Sequence, residues 1–486
     1  MRPPRIGLAV AIWLTLSGTV LAAPSIILSR KAGPPTSKIL VSGGGFEPNT
    51  GVSVYFDTKD EALIVTNNEG EFHNAAIHAS REAKPGKHWV TALERNNDKG
   101  AQEPFVVSTN WSQFHFDPDH DGLNPYENVL NFNTVSGIEL KWSYRTGSFV
   151  TSSPAVWNGI VYFGSDDNNI YALDASSGLV LWNYATRDPV ESSPAVANGM
   201  VYAGSNDGGV YALNARTGAL LWVRFTGGAV TSPVVANGVV YVGSEDTKVY
   251  ALDASTGSLL WTYVTGNFVE SPPAVTNGVV YVGSDDNNVY ALNASTGSLL
   301  WSYATGNLVY SSPAVADGVV YVGSSDDNIY ALNASTGARL WSYATGDLVA
   351  SSPAVASGAV YVGSGDNNVY ALDASTGSLL WSYATGGPVS SSPALVNGVV
   401  YVGAESSDVY ALNASTGSLL WSYPADIVGS SPAVANGVVY VGSFDDNIYA
   451  FGLQDGQGAG SAGLSILKNA RSESQRASRA PADSAF

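Results

Sequence analysis

The stretch that decides the fold is Ser311-Ser-Pro-Ala-Val-Ala-Asp317-Gly318-Val-Val-Tyr-Val-Gly-Ser324-Ser-Asp-Asp-Asn-Ile-Tyr-Ala-Leu-Asn333-Ala-Ser-Thr-Gly337-Ala-Arg-Leu-Trp341-Ser-Tyr343. It reads as four short strands. Ser-Ser-Pro-Ala-Val-Ala is the first, turned by Asp317-Gly318 where other copies carry Asn-Gly, the strongest two-residue hairpin signal. Val-Val-Tyr-Val-Gly is the second, and the polar run from Ser324 turns it into Ile-Tyr-Ala-Leu, the third. Asn333-Ala-Ser-Thr-Gly337 then turns into Arg-Leu-Trp-Ser-Tyr, the fourth. The second strand is continuously apolar rather than alternating, so both faces of its sheet must be covered.

Outward from this copy, the unit repeats. Tryptophan recurs as Trp142, Trp182, Trp222, Trp261, Trp301, Trp341, Trp381 and Trp421, with intervals of 40 residues and one of 39. Tyr-Ala-Leu begins at Tyr171, Tyr211, Tyr250, Tyr290, Tyr330, Tyr370 and Tyr410, with a variant at Tyr449. A Ser-Pro step opens the first strand of every unit except one, which reads Pro272-Pro273. A period near 40 marks a repeated supersecondary unit. The eighth unit ends at Leu453 without a Trp strand, and the missing strand stands at the other end, as Leu140-Lys-Trp-Ser-Tyr144. The chain is therefore expected to be all-β, an eight-bladed β-propeller closed by an N-terminal strand, which removes the unpaired sheet edges. An open β-solenoid is the alternative.

Composition narrows the function. The 486 residues hold 41 acidic and 22 basic side chains, a formal charge of −19, which argues against nucleic acid and anionic membrane surfaces as partners. There is no cysteine, which excludes disulfides, thiolate nucleophiles and Cys-ligated metal sites. No histidine follows His120, so the propeller is expected to have none and to lack a Ser-His-Asp triad or a His-ligated metal.

The flanks read differently. Arg2 and Arg5, an apolar run and Ala22-Ala23 predict a signal peptide over residues 1–22 and a secreted or periplasmic protein without membrane insertion. Residues 24–108 form short alternating runs separated by turns, predicting a small β-sandwich. Residues 109–139 are a lead-in, 140–453 the propeller, and 454–486 a disordered tail rich in Gly, Ser and Ala.

Ala251-Leu-Asp253-Ala-Ser-Thr256-Gly257-Ser-Leu-Leu-Trp261 resembles the tryptophan-docking motif of quinoprotein (PQQ-type) β-propellers, and it recurs through Asp174, Asn214, Asn293, Asn333, Asp373 and Asn413. The eight tryptophans are thereby expected to dock neighbouring blades. The stretch Ser42-Gly-Gly-Gly-Phe46-Glu-Pro48 resembles a turn of bacterial Ig-like surface modules, which makes the sandwich Ig-like. The propeller resemblance implies either a pyrroloquinoline-quinone (PQQ) dependent alcohol or sugar dehydrogenase, with PQQ and calcium, or a non-catalytic scaffold. The dehydrogenases typically carry a vicinal cysteine pair and long insertions, and this chain has neither.

The units differ mainly in the loops before the Ser-Pro step, which propeller geometry places around one channel mouth. Phe149, Glu191, Phe268, Glu270 and Tyr310 are the candidate ligand-binding residues there. The five basic residues of the repeats, Arg187, Arg216, Arg224, Lys248 and Arg339, are dispersed, which suits a quinone tricarboxylate poorly. Asp117, Asp119 and Asp121 resemble the opening of an EF-hand loop and are the candidate calcium ligands, although Glu127 falls one place before the position a bidentate Glu should hold. The leading expectation is an exported, monomeric, non-enzymatic binding or scaffold protein whose partner is an unknown protein or glycan. A quinoprotein dehydrogenase and a cell-surface glycan binder are the alternatives.

Overall fold

The computed structural model describes residues 23–97, 99–406, 408–425 and 429–454. The expected signal peptide, and the expected tail beyond Gln454, lie outside the described residues. The described residues fall into two compact units: 23–81 with 87–106, and 82–86 with 107–454. The first is built from a three-stranded sheet (Ser25–Leu28, Lys38–Gly44, Phe72–His78) and a five-stranded one with Gly86–Glu94 at its centre. Alternation along Ser25–Leu28 turns Ile26 and Leu28 inward, and Ile39, Val41, Phe46, Val54, Phe56 and Phe105 fill the core.

The second unit is a β-propeller of eight four-stranded sheets. Blade 1 comprises Ala155–Trp157, Ile160–Ser165, Asn169–Asp174 and Val180–Ala185. Blades 2 to 7 follow in chain order, and blade 8 is Ala433–Ala435, Val438–Gly442 and Asn447–Leu453 completed by Ile138–Arg145. In that blade Ala450 pairs with Trp142, the register that Ala331 and Trp341 have in blade 5. First strands of consecutive blades touch all the way round, including those of blades 8 and 1. The ring is closed.

Local chemistry explains each blade. Asp317 and Gly318 both have positive φ (50° and 78°), the type I′ geometry whose twist matches an antiparallel hairpin. The second strand, Val319–Gly323, is buried from Val320 onward because neighbouring blades cover both faces. The fourth strand carries the docking residue. Trp301 donates its indole N–H to the Ala334 carbonyl of the next blade at 2.9 Å and lies flat on Gly337, where a Cβ would come within 2.7 Å of the ring. The same bond runs from Trp142 to Ala175 and from Trp421 to Ile138, each at 3.0 Å, so the closing strand docks like the others. Closure leaves one local defect. Tyr361 donates to Ala414 across a blade boundary, whereas its blade 7 counterpart Tyr401 has a buried hydroxyl without a partner, because blade 8 has no Ala-Ser-Thr-Gly turn.

Candidate functional site: the channel mouth

The two ends of the channel differ. The inner edge of each first strand exposes main-chain groups that must find partners. The lead-in supplies them, blade by blade. Trp111 and Val156 exchange both main-chain bonds (2.9 and 2.7 Å). The carbonyls of Ser112, Pro118, Asp119, Asp121 and Gly122 accept from Val196, Val275, Val315, Val355 and Leu395. Gln113 Oε1 accepts from Val235, and Asn124 donates to the Val434 carbonyl in blade 8. One irregular segment thus touches all eight inner strands.

The expectation of a histidine-free propeller needs correction, because the lead-in carries His115 and His120 into it. Around the channel, the second Ser of each Ser-Ser-Pro step donates its N–H to the Ser hydroxyl of the next blade, as from Ser153 to Ser193 (3.0 Å) and from Ser431 to Ser153 (2.9 Å). Pro272 interrupts the series because it has no N–H. Ser312 there donates its hydroxyl to the Pro272 carbonyl, and His120 Nδ1 approaches the same hydroxyl at 2.7 Å. With the hydroxyl proton spent on Pro272, the imidazole is the donor. Ser312 is accordingly tied down, not poised as a nucleophile. Burial lowers the pKa of both histidines, His115 to about 4, and keeps both neutral at pH 7.

Asp117, Asp119 and Asp121 lie in this plug. Asp117 Oδ1 accepts the Asp119 N–H (3.1 Å) and Asp121 Oδ1 the Leu123 N–H (2.9 Å), so two of the three carboxylates cap turns that aim carbonyls at the blades. Among the described residues no group of three or more acidic or histidine side chains is arranged to hold a metal ion. Burial, then the charges of Asp121 and Asp119, push the Asp117 carboxyl up to about 8. An acid raised in the folded state keeps a proton that the unfolded chain has already lost. Its contribution to stability therefore falls as pH climbs from 3.8 toward about 8. Asp117→Asn is expected to raise the melting temperature at pH 8 in EDTA and to raise it much less at pH 5, nearer the lower end of that window. Equal shifts at the two pH values would contradict this assignment.

The opposite end holds the variable loops. Their Asp-rich hairpins are structural: Asp326 accepts from the Gly306 amide (2.5 Å), the Tyr330 hydroxyl (2.7 Å) and the Asn328 amide (3.1 Å). Burial alone would raise its pKa, but these bonds outweigh it and hold the carboxyl below the usual range. Further in, two rim positions of a blade pair with each other. Thr151 donates to Asp166 (3.1 Å), Asn206 to Glu191 (2.8 Å) and Ser390 to Glu405 (3.1 Å).

Blade 3 departs from this pattern. Thr231 accepts the Gly243 amide at 2.9 Å, the bond that Ser152 makes to Gly164. Thr231 is therefore the counterpart of Ser152, and the rim loop of blade 3 is one residue short. A recess of about 230 Å³ opens there, lined by Glu191, Glu245 and Glu270 with Ala229, Val230 and Val269 between them. Of the five sequence-derived ligand residues, Glu191 and Glu270 share this recess. Tyr310 is close enough to Glu270 and Asp285 for their charges, after burial, to raise its pKa. Phe268 is exposed and does not line the recess, and Phe149 packs on Phe444 with ring centres 5.3 Å apart. Sequence reading missed Glu245 and Asp285; the single 39-residue interval between Trp222 and Trp261 was the available signal for the recess.

Comparison with known proteins agrees with this architecture. The family described as outer membrane protein assembly factor BamB matches residues 128–268, 224–345, 267–385 and 346–483. The chain belongs to this family. Among solved structures, BamB from Moraxella catarrhalis is 20% identical with a TM-score of 0.58, covering 65% of this chain and 100% of that one. A europium-containing methanol dehydrogenase is 15% identical (TM-score 0.62; 71% and 98% covered). Quinohemoprotein alcohol dehydrogenase from Comamonas testosteroni is 17% identical (TM-score 0.62; 73% and 81% covered). Identities this low show the shared fold alone. No curated protein matches the chain. The same fold thus occurs in an outer membrane protein assembly factor and in alcohol dehydrogenases, and the site must decide between such roles. PQQ is a tricarboxylate and needs cations. The recess offers three carboxylates, and no Lys or Arg lines it. These residues do not fit that cofactor.

Proposed function

We infer that this BamB-family propeller is an exported, non-enzymatic binding protein that presents its open mouth, around blades 2 to 5, to a partner protein. The observation that carries this reading is the asymmetry of the channel. One end is engaged by the lead-in on all eight blades, while the other bears the loops that differ from blade to blade. Differences confined to one face of a repeat array are how such scaffolds acquire a specific surface. Of the aromatics that motivated a glycan reading, Phe149 is engaged by Phe444, and that reading is not carried forward.

Adding PQQ and calcium to the purified chain, then following dye reduction with alcohols and sugars alongside thermal melting, separates binding protein from enzyme. The expected result is no turnover and no rise in melting temperature. Turnover together with a rise would overturn the proposal.

A further inference from the structure

Blade 8 is the one blade whose third and fourth strands are not joined by a turn. Its third strand ends at Leu453, and its fourth is Ile138–Arg145, borrowed from the other end of the propeller. Blade 5 carries the Asn333-Ala-Ser-Thr-Gly337 turn at this place. Without a counterpart to it, the boundary between blades 8 and 1 opens on the turn face into a crevice of about 750 Å³. The crevice where blades 4 to 6 meet the lead-in measures about 390 Å³. Val129, Ala175, Val438, Tyr440 and Leu453 line the larger one, and its ammonium group, Lys141 Nζ, donates to the Leu453 carbonyl at 3.0 Å. On the blade 1 side, the turn that supplies Asp174, Ala175 and Ser176 runs on to Leu179, which is 68% exposed. The turns of blades 3, 4 and 5 carry Ser258, Ser298 and Ala338 there. Apolar surface of this kind gains free energy when apolar groups cover it.

The chain carries such groups close by. Gln454 itself lines the crevice, so the residues after it start from inside. Residues 455–463 are Asp-Gly-Gln-Gly-Ala-Gly-Ser-Ala-Gly, a spacer with four glycines. A nine-residue spacer of this composition spans about 15–18 Å on average, and turning it back on itself costs little entropy. Leu464-Ser-Ile-Leu467 follows, with the only large aliphatic side chains among residues 455–486. We propose that residues 464–467 of the same chain dock in the crevice between blades 8 and 1, with Leu464 and Ile466 against its apolar lining. The segment then clasps the boundary beside the borrowed strand. The clasp belongs to the turn face and does not depend on partner binding at the mouth.

The chain has no cysteine, so an engineered pair reports proximity cleanly. Ser465→Cys is combined either with Ser176→Cys, in the crevice, or with Ser143→Cys, on the closing strand two residues from Lys141 and outside the crevice lining. Ser176 and Ser143 are both exposed, and blade 2 accommodates Arg216 at the position of Ser176. Under mild oxidation the intramolecular disulfide from 465 to 176 is expected to close roughly tenfold faster than that from 465 to 143. Adding Leu464→Ser and Leu467→Ser should slow the 465–176 pair to the rate of the other. Equal rates for the two pairs, or a 465–176 rate unchanged by the serine substitutions, would overturn the proposal. So would a product dominated by disulfide-linked dimers, which means that a second copy fills the crevice.

Discussion

Replacing Glu127 with alanine is expected to cost about 3–5 kcal/mol of folding free energy, read as a lower urea midpoint and melting temperature. The side chain is 1% exposed. One oxygen accepts the amides of Val129 (2.7 Å) and Leu130 (3.3 Å), and the other accepts the Gly437 amide (3.0 Å) and the Thr109 hydroxyl (3.1 Å). Four donors converge on one carboxylate, and they come from both ends of the propeller chain. Alanine would leave each of them dry, at about 1–3 kcal/mol for a buried unpaired group before relaxation. Glu127→Gln keeps two acceptor sites but brings unwanted N–H groups, and should lie between the parent and alanine. A loss under about 1 kcal/mol for Glu127→Ala would mean that water reaches these amides, and that the lead-in is not clamped to blade 8.

Trp301→Ala should destabilise by a similar amount, about 3–5 kcal/mol for a large buried aromatic. The indole packs against Tyr281 (5.9 Å between centres), covers Gly337 and bonds Ala334, so its loss opens the boundary between blades 4 and 5. The sharper comparison is Trp142→Ala. Trp142 lies in the strand borrowed from the N-terminal side, yet it packs against Tyr440 at the same 5.9 Å and bonds Ala175. Closure predicts that the two variants lose comparable stability in a single cooperative transition. A Trp142→Ala variant as stable as the parent would show that blade 8 does not depend on its borrowed strand.

Much of the fold was legible because each blade is specified locally. Asp317-Gly318 fixes a hairpin, Gly337 lets Trp301 lie flat, and the apolar second strand demands cover on both sides. The absent eighth Trp strand and the spare one at Trp142 pointed to closure. The lead-in was opaque for a physical reason. It binds the blades through main-chain carbonyls at Ser112, Pro118, Asp119, Asp121 and Gly122, and such bonds leave no residue signature. Glu127 looked like a misplaced calcium ligand and is a clamp between turns. The channel histidines were missed because His120 is distant in sequence from the Ser312 it meets, although the Pro272-Pro273 step marked where the serine series breaks. The rim acids were legible as charge but not as pairs, since pairing depends on a register that only the folded blade shows.

The central claim is that the open mouth, and not the turn face, is the working surface. Site-specific photocrosslinking in the exporting cell tests it most directly, with p-benzoylphenylalanine placed at the position of Tyr310 on the mouth or of Ser335 in the Asn333-Ala-Ser-Thr turn. The account predicts one discrete protein adduct from position 310 and none from position 335. An adduct from position 335 with none from position 310 would contradict it.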